Sequence, residues 1–92
     1  MPEISKYLKY AYNLKVELRG GDHNPPHIHV TNKKYNINWM IGLDYRLLGG
    51  NIITKQQRNL YKVVLAWMSE NINELMDLWI SMQNNSDIWF ID

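Results

Sequence analysis

The sequence predicts an α+β domain: a small antiparallel sheet of three to four strands followed by two C-terminal helices packed on one face. Three observations carry that prediction. Residues from Tyr10 to Leu18 alternate apolar and polar side chains, which is the period of a strand with one buried face. After Thr54 the apolar period changes to that of a helix. Finally, 46% of the 92 residues are apolar, enough to fill one core.

The first strand places Tyr10, Tyr12, Leu14, Val16 and Leu18 on one face and Ala11, Asn13, Lys15, Glu17 and Arg19 on the other. Gly20, Gly21, Asp22 and Asn24 end it, and Pro25-Pro26 imposes an extended entry into a second strand from His27 to Thr31. A third strand runs from Tyr35 to Ile41. With Lys33-Lys34 as a two-residue turn, Val30 lies opposite Ile37 and Ile28 opposite Trp39. The other face then pairs His27 with Met40 and His29 with Asn38. Lys-Lys lacks the glycine or asparagine of a tight hairpin, and Asn32 can take the left-handed position in a longer loop. The faces keep their parity if that loop gains an even number of residues. A short fourth strand is expected near Tyr45–Leu48, ended by Gly49-Gly50.

Thr54-Lys55-Gln56-Gln57 has the form of a capping box, and Leu60, Val64, Trp67 and Met68 make the helical stripe behind it. Asn71-Ile72-Asn73-Glu74 reads as a second cap, ahead of Leu75, Met76, Trp79 and Met82, so two helices with a break at Asn71 are expected. The apolar tail Ile88-Trp89-Phe90-Ile91 folds back as an edge strand on its own sheet or covers a partner. The chain is therefore one domain over residues 1–92, with the sheet at about 7–53, the helices at about 55–83 and the tail at 87–92.

The absence of cysteine excludes a disulfide framework and a thiolate zinc site. Apolar runs such as Val63–Met68 are too short for a membrane span, and the start of the chain has no signal-peptide pattern, so a cytoplasmic protein is expected. The net charge of +1 is unevenly spread. Residues 1–50 carry seven basic and four acidic side chains, and every charge after Lys62 is negative. A basic front half suits a phosphate backbone, although a solvated surface has the same composition. Nucleotide-binding glycine loops, zinc-protease helices and nucleophile elbows are absent from the sequence.

The chemistry is concentrated in Asp22-His23-Asn24-Pro25-Pro26-His27-Ile28-His29-Val30, which holds all three histidines. His27 and His29 share a strand face, so both are expected to be partly accessible, with His23 and Asp22 in the preceding loop. Three uses stay open: a hydrogen-bonded structural cluster, acid–base or phosphate contact, and metal binding. The catalytic candidates are His23, His27 and His29. Glu17 and Arg19 join them on the same face if the first two strands pair antiparallel. Asp22, Asn38 and the basic pair Lys33-Lys34 are candidate binding residues. The cofactor is unknown from the sequence; a divalent metal is possible and would be held by His23, His27, His29 and Asp22. Trp67 and Trp79 read as core.

Met1-Pro2-Glu3-Ile4-Ser5-Lys6, the Asp22–Val30 segment and the late Trp67 and Trp79 together resemble the bacterial family 4160 of domains of unknown function, over about residues 1–82. The family's hallmark falls on Asp22, His23, Pro25, Pro26, His27 and His29. The resemblance implies a small bacterial protein encoded beside another short protein, in a toxin–antitoxin-like pair. That small protein is the expected partner, with nucleic acid or a second copy of the chain as further ones. The sequence departs from the family after Ile41, where Gly42-Leu43-Asp44 replaces an acidic turn and leaves Asp44 as its one carboxylate. The alternative functions are a non-enzymatic protein-binding module, using a sheet edge and the tail, and a small His/carboxylate metal-dependent enzyme.

Overall fold

A computed structural model describes residues 6–19 and 25–82, together with the backbone of 88–90. The elements in order are α1 (Lys6–Tyr12), β1 (Lys15–Arg19), β2 (His27–Asn32), β3 (Ile37–Gly42), β4 (Leu47–Gly49), α2 (Lys55–Met82) and β5 (Ile88–Phe90). The strands form one antiparallel sheet in the order β4-β3-β2-β1-β5. The α+β class is as predicted, but the sheet has five strands where three to four were expected, because Ile88–Phe90 of the tail adds an edge strand against β1.

The first strand begins later than the alternation suggested. Residues 6–12 are helical because Leu8 and Tyr12 stand four apart and turn to the core, leaving Tyr10 73% exposed. Tyr10 and Tyr12 mimicked a strand only because Leu14, Val16 and Leu18 continue their parity. Asn13 stops the helix with a left-handed φ of 55°. Its N–H donates to the Lys9 carbonyl at 2.9 Å, which completes an αL cap, and the Leu14 N–H reaches the Leu8 carbonyl at 3.1 Å.

The β2–β3 connection is a four-residue turn, Lys33 to Asn36, closed by the pair Asn32↔Ile37. The register is therefore two residues longer than a Lys-Lys turn gives: Val30 faces Trp39, Ile28 faces Ile41, His29 faces Met40 and His27 faces Gly42. An insertion of two preserves parity, so the apolar face survives intact. The left-handed residue is Asn36, with φ 54°, in place of Asn32. Asn32 is buried instead; its amide donates to the Asn13 carbonyl at 2.8 Å and its oxygen accepts the Tyr35 N–H at 2.8 Å. That one side chain ties the end of α1 to the hairpin.

Strand β4 starts at Leu47 instead of Tyr45. Tyr45 adopts a φ of 73° in the preceding turn, where the Asp44 carboxylate accepts the Arg46 N–H at 3.2 Å. Gly50, at φ 94°, lies so close to the Asn38 carbonyl and the Trp39 ring that a Cβ would clash with both. Trp39 in turn donates its indole N–H to the Asn51 carbonyl at 2.9 Å.

The capping box closes as expected. Gln57 N–H donates to Thr54 Oγ1 at 3.1 Å, and Thr54 N–H donates to Gln57 Oε1 at 3.1 Å. At Asn71 the dihedrals leave the helical region (φ −121°, ψ 15°), so α2 is two helices joined at a kink. The Asn71 amide donates to the Trp67 carbonyl at 2.8 Å, the group its own N–H would serve in a regular helix. On both sides of the kink the stripe is buried: Leu60, Val64, Trp67 and Met68 before it, Leu75, Trp79 and Met82 after it. These side chains share one core with Leu14, Val16, Leu18, Ile28, Val30, Ile37, Trp39 and Ile41 from the sheet.

Candidate functional site

The strand face opposite the aliphatic core carries the polar residues, because side chains alternate across a strand. The β1–β2 register sets Glu17 opposite His29. The imidazoles of His27 and His29 meet edge to face, 5.0 Å between centroids. Arg19 Nε donates to Glu17 Oε2 at 3.4 Å, with the Glu17 carboxylate largely covered and the Arg19 side chain 42% exposed. Four of the candidate residues, Glu17, Arg19, His27 and His29, are thus brought together by two adjacent strands.

Pro25 and Pro26 act through their carbonyls. His27 Nδ1 lies 2.7 Å from the Pro25 oxygen; a carbonyl only accepts, so Nδ1 carries a proton and donates it. The Pro26 oxygen accepts the Leu43 N–H at 2.8 Å, which anchors the entry to β2 beside the end of β3.

The histidines are not partly accessible as expected. His27 is 5% exposed, His29 8% and Glu17 8%. Trp79 accounts for part of this: its ring lies 5.3 Å from that of His27. The sequence placed Trp79 on the core stripe and gave no sign that it also reaches a histidine, because that contact depends on where the kinked α2 ends over the sheet. The two imidazoles cover one another as well.

Other candidates lie elsewhere. Asn38 is exposed but pairs with Thr31 rather than His29, a consequence of the two-residue register difference. Lys33 and Lys34 are exposed in the turn at the opposite end of β2 from His27. Asp22 and His23 lie outside the described residues. Among the described residues, no group of three His, Cys, Asp or Glu side chains is arranged to hold a metal ion.

Fold and site together define a small sheet-and-helix domain with a covered Glu–His–His cluster between two central strands. The chain belongs to the DUF4160 family, described as a domain of unknown function, whose model matches residues 16–80. The match runs from β1 through most of α2 and includes Glu17, Arg19, His27 and His29. No curated protein and no solved structure matches the chain. Among the described residues no helix is long and apolar enough to cross a membrane.

Proposed function

We propose that the chain is a bacterial, cytoplasmic component of a two-gene, toxin–antitoxin-like module that acts on or through nucleic acid, with the polar face of β1 and β2 as its working site. The observation that supports this reading is the register that sets Glu17 opposite His29, with Arg19 bonded to Glu17 and His27 beside His29. An imidazole can take or give a proton near neutral pH, a carboxylate can orient it, and a guanidinium can hold a phosphate oxygen. Covered polar groups stabilise a fold less than well-packed apolar ones would, so such a cluster on a small sheet suits a functional role. His23 and Asp22, from the preceding loop, would complete the site, either as acid–base partners or as ligands of a divalent metal alongside His27 and His29.

The test uses purified protein incubated with single-stranded RNA and DNA, with and without divalent metal, beside His29→Gln and Glu17→Gln. The expected outcome is processing of one substrate, lost at least tenfold in both variants while their circular dichroism stays native. Equal processing by wild type and variants, or none under any condition, rejects the reading.

A second reading, a non-enzymatic protein-binding module, is favoured by one feature. The edge strand β4 has only three residues and presents Leu48 39% exposed, which suits strand addition by a small neighbour-encoded protein or a second copy. Leu48→Lys should then abolish co-purification of that partner.

A further inference from the structure

Two open clefts flank the β2–β3 turn at the end of the sheet remote from His27. One, of about 420 Å³, lies between the end of α1, the turn and the start of α2, and is lined by Tyr10, Tyr12, Tyr35 and Lys34 among others. The second, of about 570 Å³, lies on the other side of the turn and is lined by Lys15, Lys33, Lys34 and Asn38. The two share Asn13, Asn32 and Lys34, so they are neighbours on either side of the turn. No aspartate or glutamate lines either cleft.

Aromatic rings and cations alternate here. Lys6 Nζ and Lys9 Nζ each lie 5.9 Å from the Tyr10 ring centre, and Lys34 Nζ lies 5.4 Å from that of Tyr35. Tyr10 is 73% exposed, an unusual position for a large ring that the core does not use. Stacking platforms interleaved with lysines and amide side chains are what a single-stranded nucleic acid needs. Its bases stack on rings and its phosphates meet ammonium groups. A duplex offers its phosphates but not the faces of its bases, which are already stacked on one another.

We infer that the paired clefts around the β2–β3 turn bind a single-stranded oligonucleotide, with Tyr10 and Tyr35 as stacking platforms and Lys15, Lys33 and Lys34 as phosphate contacts. The second cleft continues the face of Glu17 and His29 toward the turn through Lys15, Thr31 and Asn38. The residues assigned to binding are different ones, so the inference stands whether or not Glu17 and His29 form a working site. The clefts supply binding at one end of β2, while any chemistry of the polar face would act at the other.

The experiment is fluorescence anisotropy with labelled twelve-nucleotide RNA and DNA strands, a duplex of the same sequence and a poly-glutamate peptide of equal charge. Single strands are expected to bind, with a slope of log affinity against log salt of about −2, from three lysines at about −0.7 each. Tyr10→Ala is expected to weaken binding about tenfold, the loss of one stacked base. Lys34→Glu should weaken it further and flatten the salt slope, and Lys33→Glu gives the same readout independently. Lys62→Glu, an exposed lysine outside both clefts, should leave binding unchanged. Preference for RNA or for DNA identifies the natural strand, and either supports the site. Binding without processing of the strand also supports it, and counts against the polar-face reading alone. Affinity for poly-glutamate equal to that for the oligonucleotide, unchanged binding in Tyr10→Ala and Lys34→Glu, or no single-strand binding overturns the inference.

Discussion

Gln57 joins two elements with one amide. Its Oε1 accepts the Ile53 N–H at 2.7 Å and the Thr54 N–H at 3.1 Å, and its Nε2 donates to the Tyr35 carbonyl at 2.9 Å and the Asn36 carbonyl at 3.4 Å. The residue is 5% exposed, so its removal strands backbone groups away from water. Gln57→Ala is expected to cost roughly 3 kcal/mol, several unsatisfied groups at about 1 kcal/mol each. Thr54→Ala, at an exposed cap, should cost only about 1 kcal/mol. Urea denaturation of the two variants checks this; equal losses would mean that the link to the β2–β3 turn contributes nothing. The capping box was legible because it is a four-residue pattern. The second half of Gln57's bonding was not, since Tyr35 and Asn36 are more than twenty residues away in the chain. The histidines show the same divide. Their common face follows from strand parity, whereas the covering of His27 draws on Trp79, fifty-two positions later in the chain.

Among the elements, β5 bears most directly on the candidate site. It pairs with β1 through Glu17↔Phe90, Leu18↔Trp89 and Arg19↔Ile88, so it covers the edge of the strand that supplies Glu17 and Arg19. Deleting residues 87–92 would leave the β1 edge with unpaired N–H and C=O groups. The expected result is a lower thermal midpoint together with strand-paired dimers or aggregates in light scattering. A truncated protein that keeps the wild-type midpoint and mass in solution would show that the edge is adequately protected without β5. At this scale the sequence was legible where one period ran uninterrupted, as in β3 and both halves of α2. It misled at residues 6–12, where Leu8 and Tyr12 at helical spacing overlapped the strand-like alternation that starts at Tyr10.

Across the whole molecule, α2 works as a brace. Its first turn is bonded to the β2–β3 turn through Gln57, and its last turns bring Trp79 to His27 near the start of β2. The stripes on either side of the Asn71 kink belong to the same buried cluster as the sheet. Neither helix half has a core of its own, so sheet and helix should unfold together. Urea transitions followed by tryptophan fluorescence and by far-ultraviolet circular dichroism are expected to coincide. Separated midpoints would mean that the chain holds two units instead of one domain. The acidic side chains Glu70, Glu74 and Asp77 lie at and beyond the kink, away from the lysines of the β2–β3 turn along the length of the helix.

Local spacing by itself determined the α+β class, the two-sided sheet, the capping box, the break at Asn71, the common face of His27 and His29 and the common face of Glu17 and Arg19. Each of these depends on residues within a few positions of one another, or on a parity that an even insertion cannot change. Only the tertiary structure decided the register of Val30 with Trp39, the pairing of Glu17 with His29, the burial of the histidines, the contact of Trp79 with His27 and the clefts that gather Tyr10, Tyr35 and Lys34. Apart from the Glu17–His29 pairing, those features depend on the length of the Lys33–Asn36 turn, the angle of the helix kink and the αL stop at Asn13. Small backbone choices at these three points move distant side chains together, and no sequence period records them.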